Sequence, residues 1–409
     1  MTGDEPFYVM TAISLVEDGD LDETNNYANR DYARFYPAFG PTADGWAAYP
    51  DPLPPHQSHT RRPGLYSKHG LGMALLIALP FAAGGRPLVL IVLAALSALL
   101  AANMALFARR YTRSPGIALA IALGLSLTTP LLPFSLLIFP ELPAALCTIY
   151  ALRRVLEPRN AWWQWALAGF AAAALPWLHY RLAPISVALA AIGFARHRRS
   201  LTRAHIIAAL TPPLLSASVL AWWFVYLYGR PLPPAADHAG FSGITGTLNG
   251  LAGTFLDQQW GAWIHNPLLF FAVALAVPFA LNQRDDAIAL GVMAAPYLVI
   301  VANYRVWWGE WNPPARYLTV LVPLAVAPLA WWLERVRSRW RWPWLVAFLV
   351  PSLLVTATFV WDPQLMYNHP DGTSRLLEIW GQWSYQPLTS LIPSFVFYSA
   401  STPAERIWF

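Results

Sequence analysis

The chain has 409 residues, of which 56% are hydrophobic, 14% aromatic and 12% charged, with a mean hydropathy of +0.40. An average soluble domain carries about 25% charged residues, so this composition excludes an ordinary water-soluble globule. The formal charge of +5 comes from short arginine clusters between apolar runs rather than from one basic face, which argues against nucleic acid as a partner.

In chain order, residues 1–86 form a leader of mixed polarity. Phe7, Met10, Ile13 and Val16 recur at helical spacing, which predicts an amphipathic helix over residues 6–16 lying on the outer interface, followed by the acidic turn 17–23. Residues 70–84 are apolar but too short to span alone, and are expected to be re-entrant, interfacial or part of a broken first helix. Ten longer apolar runs follow near 87–108, 116–134, 142–153, 162–178, 183–195, 204–228, 267–281, 287–303, 317–333 and 343–361. They predict an all-α, polytopic transmembrane bundle of about ten spans, with the shorter runs borrowing flanking aromatic residues or tilting. Cys147, the single cysteine, sits in one of these runs and leaves no intrachain disulfide or cysteine-based metal site.

Arginine sets the orientation. Alternate connections carry Arg109, Arg110 and Arg113; Arg153, Arg154 and Arg159; Arg196, Arg198, Arg199 and Arg203; Arg284; and Arg335, Arg337, Arg339 and Arg341. The positive-inside rule places these in the cytoplasm. Residues 1–86 then form an extracytoplasmic first loop, 87–361 the transmembrane domain and 362–409 an extracytoplasmic tail, all in one structural unit. This parity expects a further span ahead of residue 1; the alternative is that the leader crosses without a signal.

The outward-facing segments hold the chemically useful side chains: Asp4 and Glu5, Lys68 and His69, Glu141, His179 and Arg181, Asp257, and Arg305, Glu310 and Arg316. Each has an ordinary explanation alone, as a helix N-terminal carboxylate or an interfacial anchor. Their gathering at one side of the membrane favours function. With no zinc-type cluster, no Gly-x-Ser-x-Gly elbow and no glycine-rich phosphate loop, the chemistry that fits is a carboxylate accepting a proton while cations neutralise a lipid phosphate.

The ordered series Gly3-Asp4-Glu5-Pro6-Phe7-Tyr8, Thr24-Asn25-Asn26-Tyr27, Tyr66-Ser67-Lys68-His69-Gly70-Leu71-Gly72, Pro140-Glu141, Asp257 to Gly261 with Asn266-Pro267, and Trp307 to Tyr317 covers most of the chain. It resembles the GT-C superfamily of membrane glycosyltransferases, and within it the bacterial branch related to protein O-mannosyltransferases and the lipid A aminoarabinose transferase. The resemblance implies a GT-C-like bundle in the inner membrane, its active site on the extracytoplasmic side. It implies inverting transfer of a sugar from a polyprenyl-phosphate donor to a hydroxyl of a cell-envelope glycan, lipid or protein acceptor. Asp4 matches the catalytic carboxylate and Glu5 its neighbour. Lys68, Arg181 and Arg316 fall where the family places phosphate-contacting cations; His69, Glu141, His179, Asp257 and Glu310 join them as substrate-binding candidates. The family normally leads into the acidic pair with a first helix, from which this sequence departs.

Asp4, Glu5 and Glu141 offer hard oxygen ligands, but carboxylates beside cations need no metal, and none is predicted, nor any other cofactor. The rivals are a secondary transporter, whose ionisable groups belong near mid-membrane and recur in two halves, and a non-catalytic lipid-binding membrane protein.

Overall fold

Where long apolar runs offer no partner strand, a helix is the way the backbone satisfies its own N–H and C=O groups. The computed structural model describes residues 3–35, 52–157, 161–233, 242–309, 311–336, 338–367 and 372–396. Arg159, Glu310, Arg337 and parts of the 362–409 tail lie outside them. Among the described residues the chain is helical, with no strand beyond an isolated antiparallel bridge between Gln57 and Ser67.

The principal helices are α1 Glu5–Ile13, α2 Leu71–Ala108, α3 Pro115–Ser126, α4 Glu141–Leu156, α5 Trp162–Leu178, α6 Ala183–His197, α7 Arg203–Tyr228, α8 Gly243–Leu256, α9 Pro267–Asn282, α10 Arg284–Ala302, α11 Val326–Arg335, α12 Arg341–Trp361 and α13 Arg375–Ser384. Their ends follow local chemistry. The Ser114 side chain accepts from Ile117 N ahead of Pro115, Thr202 accepts from His205 N, and α7 stops at left-handed Gly229.

Four helices, α2, α7, α10 and α12, are long and apolar enough to cross a membrane. Helical segments occupy all ten apolar runs, but the others are shorter: the run near 116–134 divides into α3 and a turn at Leu131–Phe134, and the run near 317–333 begins as 3-10 turns before α11. The four long helices leave large apolar side chains exposed, among them Ile91, Leu214, Trp222 and Leu354, while Asp257, Gln258 and Asn266 are fully buried. A surface apolar outside and polar within is compatible with a lipid surrounding.

Residues 70–84 form the first half of a broken helix: α2 changes direction at Gly84 and Gly85, both outside the helical region. The leader helix differs from expectation. Every residue of α1 is buried, so it is not an amphipathic helix on the interface. The reason is its cover. Phe7 and Met10 cluster with Tyr32 and Leu53, Phe7 stacks on His56 with ring centroids 3.6 Å apart, and Thr11 Oγ1 donates to Glu23 Oε1 at 2.5 Å. On its other side α1 packs on α2. Glu23 is buried there, and that burial raises its carboxyl to about 7 against the hydrogen bond from Thr11. The remaining core is helix on helix: α5 against α4 and α7, α2 against α3 and α4, α10 against α6 and α8.

Candidate active site

Asp4 sits immediately before α1, its carbonyl accepting from Phe7 N at 3.2 Å, and Pro6 favours helix entry there. Gly3 has φ +52°, and a Cβ on it would collide with the Trp311 carbonyl oxygen, so glycine lets the chain run against the loop that ends in Arg316. Arg316 opens a short 3-10 turn there. Glu141 begins α4, and Arg181 lies in the tight turn joining α5 to α6. On the neighbouring leader segment, a Cβ on Gly70 would collide with the Leu178 carbonyl, so its absence lets Lys68 and His69 approach that turn.

These elements place four charges in one chain of ion pairs. Arg316 Nη2 donates to Asp4 Oδ2 at 2.8 Å and its Nε to Glu141 Oε1 at 2.8 Å; Arg181 Nη2 donates to the same Glu141 oxygen at 2.6 Å. The Glu141, Arg181 and Arg316 side chains are at most 6% exposed, and Asp4 is 22% exposed. Aromatic faces back the guanidiniums, Phe139 under Arg316 at 4.6 Å and Tyr317 under Arg181 at 4.4 Å. Two carboxylates and two guanidiniums cancel in formal charge. Three buried polar atoms of the cluster, Glu141 Oε2, Arg181 Nε and Tyr8 Oη, meet no hydrogen-bond partner among the described residues. Such groups are costly unless something completes them.

His69 extends the cluster, its Nε2 3.9 Å from Asp4 Oδ1 and 3.2 Å from His56 Nδ1. Burial lowers the His69 imidazole to about 4, leaving it neutral at neutral pH. Burial alone would raise the Asp4 carboxyl, but the charges of His69 and Arg316 outweigh it and hold it well below the usual range. With His69 neutral, Arg316 is the partner that keeps Asp4 ionised.

No protein family, curated protein or solved structure matches this chain.

The sequence candidates divide in space. Asp4, Glu141, Arg181 and Arg316 form one network, and His69 touches it. His179 Nδ1 accepts from Arg181 N at 3.2 Å, steadying the turn. Lys68 and His69 line a cleft of about 150 Å³ with Tyr66, Trp177, Tyr180 and Tyr228. This cleft adjoins a mainly apolar groove of about 610 Å³ between α5, α6 and α7, and Pro176, Tyr180, Leu220 and Phe224 line both.

Glu5 points elsewhere: it is fully buried, faces Arg86 at 3.5 Å and is raised above its ordinary range by burial. Asp257 is also separate. Its oxygens accept from Gln259 N at 2.7 Å, Trp260 N at 2.9 Å and Phe395 N at 2.6 Å, so backbone donors fill it and it braces the 393–396 segment. Glu310 is outside the described residues. Asp4, Glu5 and Glu141, which could have offered hard oxygen ligands, are therefore not gathered. Sequence reasoning missed His56 and Tyr8. His56 gave no spacing signal, and Tyr8 reads as an ordinary aromatic of a helix core.

Proposed function

We propose that this chain is a multi-pass membrane glycosyltransferase of the GT-C type, inverting the sugar as it moves from a polyprenyl-phosphate donor to an acceptor hydroxyl on the extracytoplasmic side of the cell membrane. In this reading the ten apolar runs cross the bilayer, and the acceptor belongs to a cell-envelope glycan, lipid or protein. The observation that carries it is a partly exposed carboxylate, Asp4, fixed by the buried Arg316–Glu141–Arg181 chain beside a Lys68-lined cleft that opens into an apolar groove. A polyprenyl chain suits the groove, its phosphate suits the cleft, and the sugar then lies toward Asp4.

The chemistry follows from these roles. The acceptor oxygen attacks the anomeric carbon as the carbon–oxygen bond to phosphate breaks, and the hydroxyl proton passes to Asp4. Phosphate departs as a stable anion, so an ionised carboxylate that is a weak base is sufficient, and no acid is needed. Lys68 meets the phosphate; Arg316 and Arg181, bound to carboxylates, hold the base and its surroundings in place, and the bare atoms of Glu141, Arg181 and Tyr8 are available to sugar hydroxyls.

Purified protein given labelled polyprenyl-phosphate sugars and a panel of envelope acceptors tests this reading. Wild-type protein is expected to transfer the label and Asp4→Asn to bind donor without transferring it. Equal transfer by both would remove Asp4 from the mechanism, and absence of donor binding by the wild type would remove the reading altogether. A C-terminal reporter that works only outside the cytoplasm should be active; a cytoplasmic signal would overturn the sidedness.

A further inference from the structure

Beside the ion-pair chain and sharing Asp4 with it, the leader brings three metal-ligating atoms together from positions far apart in sequence. Asp4 Oδ1, His56 Nδ1 and His69 Nε2 lie within 4.8 Å of one another. We infer that Asp4, His56 and His69 form a binding site for a divalent transition-metal ion of the zinc class, with an open coordination position facing the Lys68 cleft.

Three features carry this. The first is spacing. Ligands about 2.0–2.1 Å from a tetrahedral zinc sit roughly 3.3 Å from each other. The His56 Nδ1 to His69 Nε2 separation is 3.2 Å, the Asp4 Oδ1 to His69 Nε2 separation is 3.9 Å, and all three ligand atoms lie within 4.8 Å of one another.

The second is preorganisation. Ser58 N donates to Tyr66 O at 2.9 Å and Lys68 N to His56 O at 2.9 Å, so a short antiparallel ribbon holds the two histidines at one end. Phe7 stacks on the His56 ring at an interplanar angle of 15°, fixing its plane, and the second Asp4 oxygen accepts from Arg316 at 2.8 Å. A ligating carboxylate oriented through its other oxygen is the expected outer support of a metal site.

The third is donor chemistry and access. Two imidazole nitrogens and one carboxylate oxygen suit zinc, cobalt or nickel over magnesium or calcium, which take oxygen sets. Three protein ligands leave a position for water or an anionic oxygen, and His69 lines the cleft through which an ion enters.

The site shares Asp4 with the proposed transferase chemistry but does not depend on it, and binding is measured without turnover. Metal-stripped full-length protein in detergent is titrated with Co2+, reading the visible absorption of the bound ion, and then with Zn2+ as competitor. One saturable equivalent with a tetrahedral-type spectrum is expected, displaced by Zn2+ and not by a large excess of Mg2+. His69→Ala and His56→Ala should each lower Co2+ affinity at least tenfold, with Asp286→Asn binding as wild type. If a histidine variant fails to fold, His56→Gln, whose planar amide can still lie against the Phe7 ring, is read instead. Displacement by Mg2+, binding retained when both histidines are replaced, or no saturable binding by the wild type would overturn the site.

Discussion

Two arginine–carboxylate networks stand at opposite ends of the bundle. The helices α6 and α10 run between them: Arg181 precedes α6 and Arg196 closes it, while Asp286 opens α10 and the 303–316 loop follows it. At the Asp286 end, the carboxylate accepts from Arg110 Nε at 2.8 Å, Arg110 Nη2 at 3.1 Å, Arg196 Nη2 at 2.7 Å and Tyr111 Oη at 2.9 Å. Its acceptor capacity is filled, and Arg110 and Arg196 keep 33% and 24% of their side chains exposed. At the Asp4 end the two guanidiniums are more deeply buried, at most 6% exposed, and the network is less complete, with Glu141 Oε2, Arg181 Nε and Tyr8 Oη left over. One network is a finished brace between helix ends, while the other carries burial cost without full compensation, the difference that the proposed function would account for.

The largest expected effect separates the two ends by function. Asp4→Asn should slow single-turnover transfer by about 10³-fold with donor binding retained, because a positioned base supplies roughly 10²–10⁴ in rate. A transfer rate within a few fold of wild type would erase the distinction. Asp286→Ala should do the reverse: it strands two guanidiniums, destabilising the fold by about 3 kcal/mol, the low end of the range because both keep some solvent. Turnover per folded molecule should be unchanged. A variant that melts like wild type would show that the filled network is not a brace.

A third comparison sets Glu23, a buried carboxyl with one donor, against both. Its folded value of about 7 lies above the ordinary 4.5. Below pH 4.5 both folded and unfolded chains hold the proton; between about 4.5 and 7 the unfolded chain gives it up first, so stability falls as pH rises, and above 7 the loss is complete. Glu23→Gln should flatten that slope and gain roughly 2–3 kcal/mol at pH 8, read from unfolding midpoints across pH. An unchanged slope would place the pH dependence elsewhere. The smallest effect is at the cleft: Lys68→Ala should raise the donor KM by about tenfold, roughly 1.4 kcal/mol, with kcat little altered. An unchanged KM would detach the cleft from the phosphate.

Much of the Asp4 end was legible because charge is expensive in so apolar a chain: Asp4, Glu141, Arg181 and Arg316 stand out against their neighbours, and α4 and α6 begin beside two of them. Asp257 stood out equally and turned out to serve backbone donors, since a sequence does not say which N–H groups fold back onto a carboxylate. His56 was invisible because its relation to His69 is set by ribbon pairing, not by spacing along a helix. The α8 stretch Gly243–Leu256, rich in glycine and threonine, lacks the propensity that marks a helix, and packing on α10 supplies what local preference does not. The all-helical class was plain from composition. The number of spans was not, because α3, α4 and α11 are short and length is the property that distinguishes a crossing helix from a buried one.

The cancellation of charge among Asp4, Glu141, Arg181 and Arg316 has a kinetic consequence. In the proposed transferase, a strongly cationic pocket would grip the spent lipid phosphate as firmly as the incoming donor and stall between rounds. In that reading the carrier would face a field without net attraction from these four groups, with Lys68 in the cleft that adjoins the groove. The emptied carrier is then free to slide back into the bilayer, and repeated turnover should run at the pace of the transfer step rather than of product departure.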